Sequence, residues 1–151
     1  MANDMKRWTG LALGGVLMMA VLAGTAYTQD VTDAAEQAAK DWLALVDQGR
    51  YGESYEQASQ SFRVAVGRDE WAAKAGAARA RAGKLVSRRL SRATETRNPP
   101  GAARGDYVFV VYNSSFASLK SAIETVVTMR DQDGKWRVVN YMIRPAARQG
   151  P

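Results

Sequence analysis

Beyond residue 30 the apolar positions follow one period in the first half of the chain and another in the second. Ala35, Ala38, Ala39, Trp42, Leu43 and Val46 recur at the 3.6-residue repeat of a helix that buries one face. Asp33, with Glu36 three residues on, predicts a capping box at its start, and Gly49 predicts its end. A second helical piece carries Tyr51, Tyr55, Ala58 and Phe62 on one side. A third is expected after Gly67, capped by Asp69, with Trp71, Ala75, Ala78 and Ala82 as its small-residue face and Gly83 as its stop. From Leu85 onward the period falls to two. Strands are expected over 85–96, 107–115, 123–130 and 136–143. Asn98-Pro99-Pro100-Gly101 forbids regular structure and makes a loop, while Asp133-Gly134 predicts a two-residue hairpin turn. Helices followed by consecutive strands define an α+β fold: amino-terminal helices packed on a curved four-stranded antiparallel sheet. The domain is expected over residues 33–145, after a linker at 27–32 and before a tail at 146–151.

The first residues differ in character. Lys6 and Arg7 precede the apolar run Leu11 to Leu22, and Gly24-Thr25-Ala26 supplies the small-x-small pattern of a signal-peptidase site. No cysteine follows the run, which excludes a lipoprotein anchor. Residues 1–26 therefore read as a signal peptide or as an uncleaved hydrophobic anchor helix. In the second case residues 8–27 span about 30 Å as a helix, with Trp8 and Tyr27 at the two membrane interfaces. Both readings keep the positive amino end in the cytoplasm and place the domain in the periplasm or outside the cell.

Composition narrows the chemistry. A chain of 151 residues and 16.4 kDa has room for one domain, and 46% hydrophobic residues exclude disorder throughout. The chain has neither cysteine nor histidine. Disulfides, thiol nucleophiles, imidazole bases and most transition-metal sites are thereby removed, and nothing calls for a cofactor. The net charge is +6, and its asymmetry lies in residues 79–104. Arg79, Arg81, Lys84, Arg88, Arg89, Arg92, Arg97 and Arg104 stand there against one acid, Glu95. Arg79, Arg81, Lys84, Arg89 and Arg92 are expected as a basic surface for anionic lipid or an acidic protein. Nucleic acid is not expected, because the stripe has no aromatic residue to stack on bases and export removes the usual partners.

Ala39-Lys-Asp-Trp-Leu-Ala-Leu-Val-Asp-Gln-Gly-Arg-Tyr-Gly-Glu-Ser-Tyr55 resembles the opening motif of the bacterial "domain of unknown function 4019" family. The likeness continues through Phe62-Arg63, Trp71, Gly83, Ser87-Arg88, Leu90, Gly105-Asp-Tyr-Val108, Phe116-Ala117 and Glu124-Thr-Val126. It ends with Asp133-Gly-Lys-Trp-Arg-Val138, Tyr141 and Ile143-Arg144, covering about residues 34–144. It implies an exported single domain with a cone-shaped fold similar to nuclear transport factor two and cystatin-like proteins. It implies no activity. The chain departs from the family pattern at Arg81-Ala82, where Pro-Leu is usual, and at Asn140, where glycine is frequent.

A cone of this kind can hold a small ligand between sheet and helices. Val86, Arg88, Leu90 and Thr94 are expected on one face of the first strand, which sets Arg88 among apolar neighbours. A buried arginine requires a partner, and Glu124 on the third strand is the candidate. The pair serves either as an anion site or as a structural bridge. Tyr112, Trp136 and Tyr141 complete the candidate ligand- or partner-binding set; no residue is marked as catalytic. Tyr107, Phe109 and Val111 line one face of the second strand, and Val108, Val110 and Tyr112 the other. With both faces apolar, both are expected to be covered, one by helices and one by a second copy or another subunit. The leading reading is a non-enzymatic periplasmic binding or interaction module, as a homodimer. The alternative is a membrane-anchored accessory subunit of a larger membrane complex, such as a photosynthetic or respiratory assembly.

Overall fold

The computed structural model describes the backbone of residues 22–147 and the side chains of residues 29–147. Four helices precede four strands: α1 Leu22–Asp47, α2 Tyr51–Gln57, α3 Gln60–Ala65, α4 Arg68–Ala82, then β1 Leu85–Arg97, β2 Asp106–Phe116, β3 Ala122–Arg130 and β4 Trp136–Pro145. The strands form one open antiparallel sheet in the order β1-β2-β3-β4, so β1 and β4 are its edges. The expected α+β layout stands.

The helix ends differ from the sequence expectation. Asp33 lies inside α1, where Gln29 Nε2 donates to it at 3.4 Å, and residues 27–32 are helical turns rather than an irregular linker. No glycine or proline interrupts the alanine-rich run from Thr25 to Asp47, so the helix has no reason to start at Asp33. Trp8 lies outside the described residues, as does the Tyr27 side chain. Among the described residues no helix is long and apolar enough to cross a membrane.

The second helical piece breaks in two. The backbone turns extended at Ala58 and Ser59, and the Ser59 hydroxyl caps α3 by accepting from the Phe62 N–H at 3.1 Å. The Ser59 N–H is itself taken by the Val138 carbonyl of β4, a tertiary bond that no helical period reveals. α4 is capped by Gly67, and Asp69 sits instead in the first turn, where its charge suits the helix dipole. Gly83 leaves α4 at φ +80, with an added Cβ placed 3.1 Å from both Ala117 Cβ and Ser118 N.

The last hairpin also differs. Asp131 and Lys135 bond across a three-residue loop, with Gly134 at φ +79, rather than across a two-residue Asp133-Gly134 turn. The helices lie against one side of the sheet. Ala35, Ala39, Trp42, Leu43, Val46, Phe62, Trp71 and Ala75 meet Val108, Val110, Tyr112, Val126 and Val138 in the main core. Trp42 and Trp71 meet at a 37° tilt, 5.4 Å apart between centroids, and both donate to Ser54, at its carbonyl (2.8 Å) and its hydroxyl (3.0 Å).

Candidate functional site

Paired residues on antiparallel strands point to the same face. β1 carries register irregularities between Leu85 and Ser87 and between Leu90 and Arg92. Leu85, Arg88, Leu90 and Ala93 consequently oppose Phe116, Ser114, Tyr112 and Val110 and face inward. The expected face of Val86, Arg88, Leu90 and Thr94 is corrected accordingly. Val86 is the extra residue of the first bulge and is 65% exposed, while Thr94 pairs with Phe109 on the outer side.

Inward-facing Arg88 meets a cluster assembled from six elements. It grips Glu124 of β3 through Nε–Oε2 at 2.6 Å and Nη2–Oε1 at 3.0 Å. Its Nη1 and Nη2 also donate to Asp47, the last residue of α1, at 2.7 and 3.0 Å. Arg79 of α4 bridges the same two acids, at 2.5 Å to Asp47 Oδ1 and 3.5 Å to Glu124 Oε1. Ser114 of β2 donates to Glu124 Oε2 at 2.5 Å, and Tyr141 of β4 to Oε1 at 2.7 Å. Arg79 lies over the Phe116 ring at 4.7 Å and Arg88 over Tyr112 at 6.0 Å.

Two cations face two anions, so the cluster is neutral. Glu124 is fully buried, and Arg79 and Arg88 retain side-chain exposures of 8% and 14%. Such a cage is costly to desolvate and holds because the guanidinium of Arg88 and the carboxylates of Asp47 and Glu124 are matched within it. Arg79 Nη1 and the Tyr112 hydroxyl, by contrast, make no hydrogen bond among the described residues. Burial opposes the charge on Arg88, but the hydrogen bonds and charges of Asp47 and Glu124 outweigh it and raise its pKa. Burial raises the Tyr141 phenol, reinforced by the charge of Glu124 and their hydrogen bond. Burial likewise raises Tyr112, with the Glu36 charge adding to it.

An alkaline titration tests this arrangement. A phenol whose folded pKa exceeds its unfolded value near 10 adds stability below that pH and loses it as pH rises further. Tyr112 and Tyr141 are therefore expected to form phenolate late, together with unfolding, when ultraviolet phenolate absorbance is followed alongside circular dichroism. The Tyr112→Phe/Tyr141→Phe variant should lack that late phase. Uniform ionisation near pH 10 in an intact fold would contradict the burial argument.

The structure thus brings Arg88, Glu124, Tyr112 and Tyr141 together, and places Trp136 apart from them. Trp136 pairs with Arg130 at the start of β4 and lines a surface cleft beside Trp42, Asp41 and Lys135. Arg79 is corrected: it is buried in the cluster and not part of a basic surface. The stripe of α4 runs Trp71, Ala75, Arg79, Ala82, where spacing alone favoured Ala78. Arg81, Lys84, Arg89 and Arg92 are exposed. Sequence reading missed Asp47 and Ser114, whose roles depend on contacts across the fold.

The outer sheet face carries Phe109, Val111, Val127 and Met142, with Arg89, Arg92 and Arg144 around them and no carboxylate among its paired positions. At one end the 98–105 loop covers this side, as the Tyr107 hydroxyl donates to the Ala103 carbonyl at 2.8 Å. Val111 and Val127 are shielded within the face, whereas Met142 is 52% exposed.

Helices laid on one face of an open antiparallel sheet, with an ionic cluster sealed between the layers, define a two-layer α+β domain. A solved protein from Catenulispora acidiphila has a similar fold: TM-score 0.53 at 11% identity, covering 79% of this chain and 94% of that one. No curated protein matches the chain. Residues 38–141 match the family described as "Protein of unknown function (DUF4019)", and the chain belongs to that family.

Proposed function

We propose that this chain is a non-enzymatic binding and interaction module of the periplasm, its two layers forming a cone like those of nuclear transport factor two and cystatin-like proteins. The observation that carries the reading is the closure of the ionic cluster. Glu124, the carboxylate best placed inside the fold, accepts from Arg88, Ser114 and Tyr141 at once. It has no lone pair directed at a substrate, so proton abstraction there lacks a base. What remains for function is surface: the apolar outer face of the sheet and the arginines around it.

A second reading, the anchored accessory subunit of a membrane complex, draws on α1. That helix passes from Leu22 at the end of the apolar run into the domain without a break. A retained amino-terminal segment would then hold the domain stiffly at the periplasmic side of a bilayer.

A native gel of mildly solubilised membranes, with the chain located by mass spectrometry, separates the two. The module reading expects a small soluble species, lighter by residues 1–26. Migration within a large complex with those residues attached supports the accessory subunit. Turnover of a small molecule that Glu124→Gln abolishes, at unchanged stability, would overturn the non-enzymatic reading itself.

A further inference from the structure

The amino-terminal half of β1 joins two properties that edge strands ordinarily keep apart. β1 is an edge of the sheet; Val86, unpaired at the first bulge, is 65% exposed, and Leu90, although on the helix-facing side opposite Tyr112, is still 44% exposed at this edge. Beside them along the same strand and its approach, Lys84, Arg89 and Arg92 are exposed, and none makes an ion pair among the described residues. From Trp71 to Thr94 the chain contains no acid. The carboxylates of the nearby cluster, half-buried Asp47 and buried Glu124, are already matched by Arg79 and Arg88, so they do not neutralise this edge.

Charge alone would serve to keep an edge strand from pairing with other chains. Two exposed aliphatic side chains beside it work against that protection unless they have an apolar medium to enter. Cations interleaved with short aliphatics match a bilayer interface, where lysine and arginine meet anionic headgroups and apolar groups reach the acyl boundary. We infer that the β1 edge from Lys84 to Arg92 docks on an anionic lipid bilayer. The apolar run Leu11 to Leu22, which leads directly into α1, makes lipid the nearest surface of that chemistry when it is retained. The inference rests on the periplasmic placement that both readings share, and names the surface that the domain contacts.

The chain has no cysteine, so single labels are clean. The full chain carrying Val86→Cys with an environment-sensitive fluorophore is added to phosphatidylcholine vesicles with and without phosphatidylglycerol. Val64→Cys serves as the control: Val64 is 80% exposed and lines a cleft with Met129 and Asp131, next to the β3–β4 hairpin. Docking predicts a blue shift at position 86 on anionic vesicles only, reversed by high salt, with position 64 unmoved. Changing Lys84, Arg89 or Arg92 singly to Gln should lower the docked fraction ratio about five-fold each. A position-86 probe indifferent to lipid charge overturns the inference. So does a probe that responds to envelope proteins but not to vesicles, which would assign the edge to an acidic protein. The vesicles hold no other protein, so failure here leaves the module reading intact, while the native gel decides between the module and the accessory subunit whatever the vesicles show.

Discussion

Glu124→Leu is expected to destabilise the fold by about 3–5 kcal/mol, the usual cost of removing one partner from a buried ion pair. The reason is arithmetic. Two arginines, Arg79 and Arg88, would remain against the single carboxylate of Asp47, and the Ser114 and Tyr141 hydroxyls would lose their acceptor. Arg88→Met/Glu124→Leu removes one charge of each sign and leaves the Arg79–Asp47 pair neutral. The double variant should therefore be much less damaged than the sum of the two single changes, with a coupling of about 2 kcal/mol or more. Urea denaturation of all four proteins measures it. Additive losses would show that the cluster does not act as a unit.

Trp42→Ala is expected to cost about 3–5 kcal/mol, since it empties the centre of the core. Trp42 is 2% exposed, and its ring meets Trp71 at 5.4 Å and Tyr141 at 5.5 Å. Its indole N–H is also one of the two that converge on Ser54. Trp42→Phe keeps a ring but leaves the buried Ser54 carbonyl without that donor, so about 1–3 kcal/mol should still be lost. Equal midpoints for Trp42→Phe and the parent chain would show that the indole bond contributes nothing. The two tryptophans should also couple in a double-mutant cycle, because they share both a contact and a partner.

These two sites were unequally legible in the sequence. Trp42 and Trp71 stand on helical periods, and a period of apolar residues names a core face without reference to the rest of the fold. The Arg88–Glu124 pairing followed from one argument, that an inward arginine needs a carboxylate, and the structure forms that pair. Arg79 looked like one more member of the basic stripe, because nothing local distinguishes a guanidinium over Phe116 from one in water. Asp47 stands just before the Gly49 stop, where nothing local marks it. Its partners are 32 and 41 residues away in the chain.

The same contrast separates what the chain's pattern determined from what packing decided. Four strands joined by short loops, helices ended at Gly49 and Gly83 and membership of the family can all be read from residues in order, because turns, caps and periods are short-range physics. Which way β1 presents its side chains is not short-range. Two bulges move Val86 and Thr94 off the face that alternation assigns them, and a bulge is fixed by the partner strand rather than by the strand's own sequence. The break at Ser59 depends likewise on a bond to β4. Only the folded chain could turn scattered charges at 47, 79, 88 and 124 into a sealed neutral cluster and leave the remaining cations on the surface. Burial and partnership are properties of three-dimensional neighbours, and these four residues become neighbours only once α1, α4 and the sheet have packed.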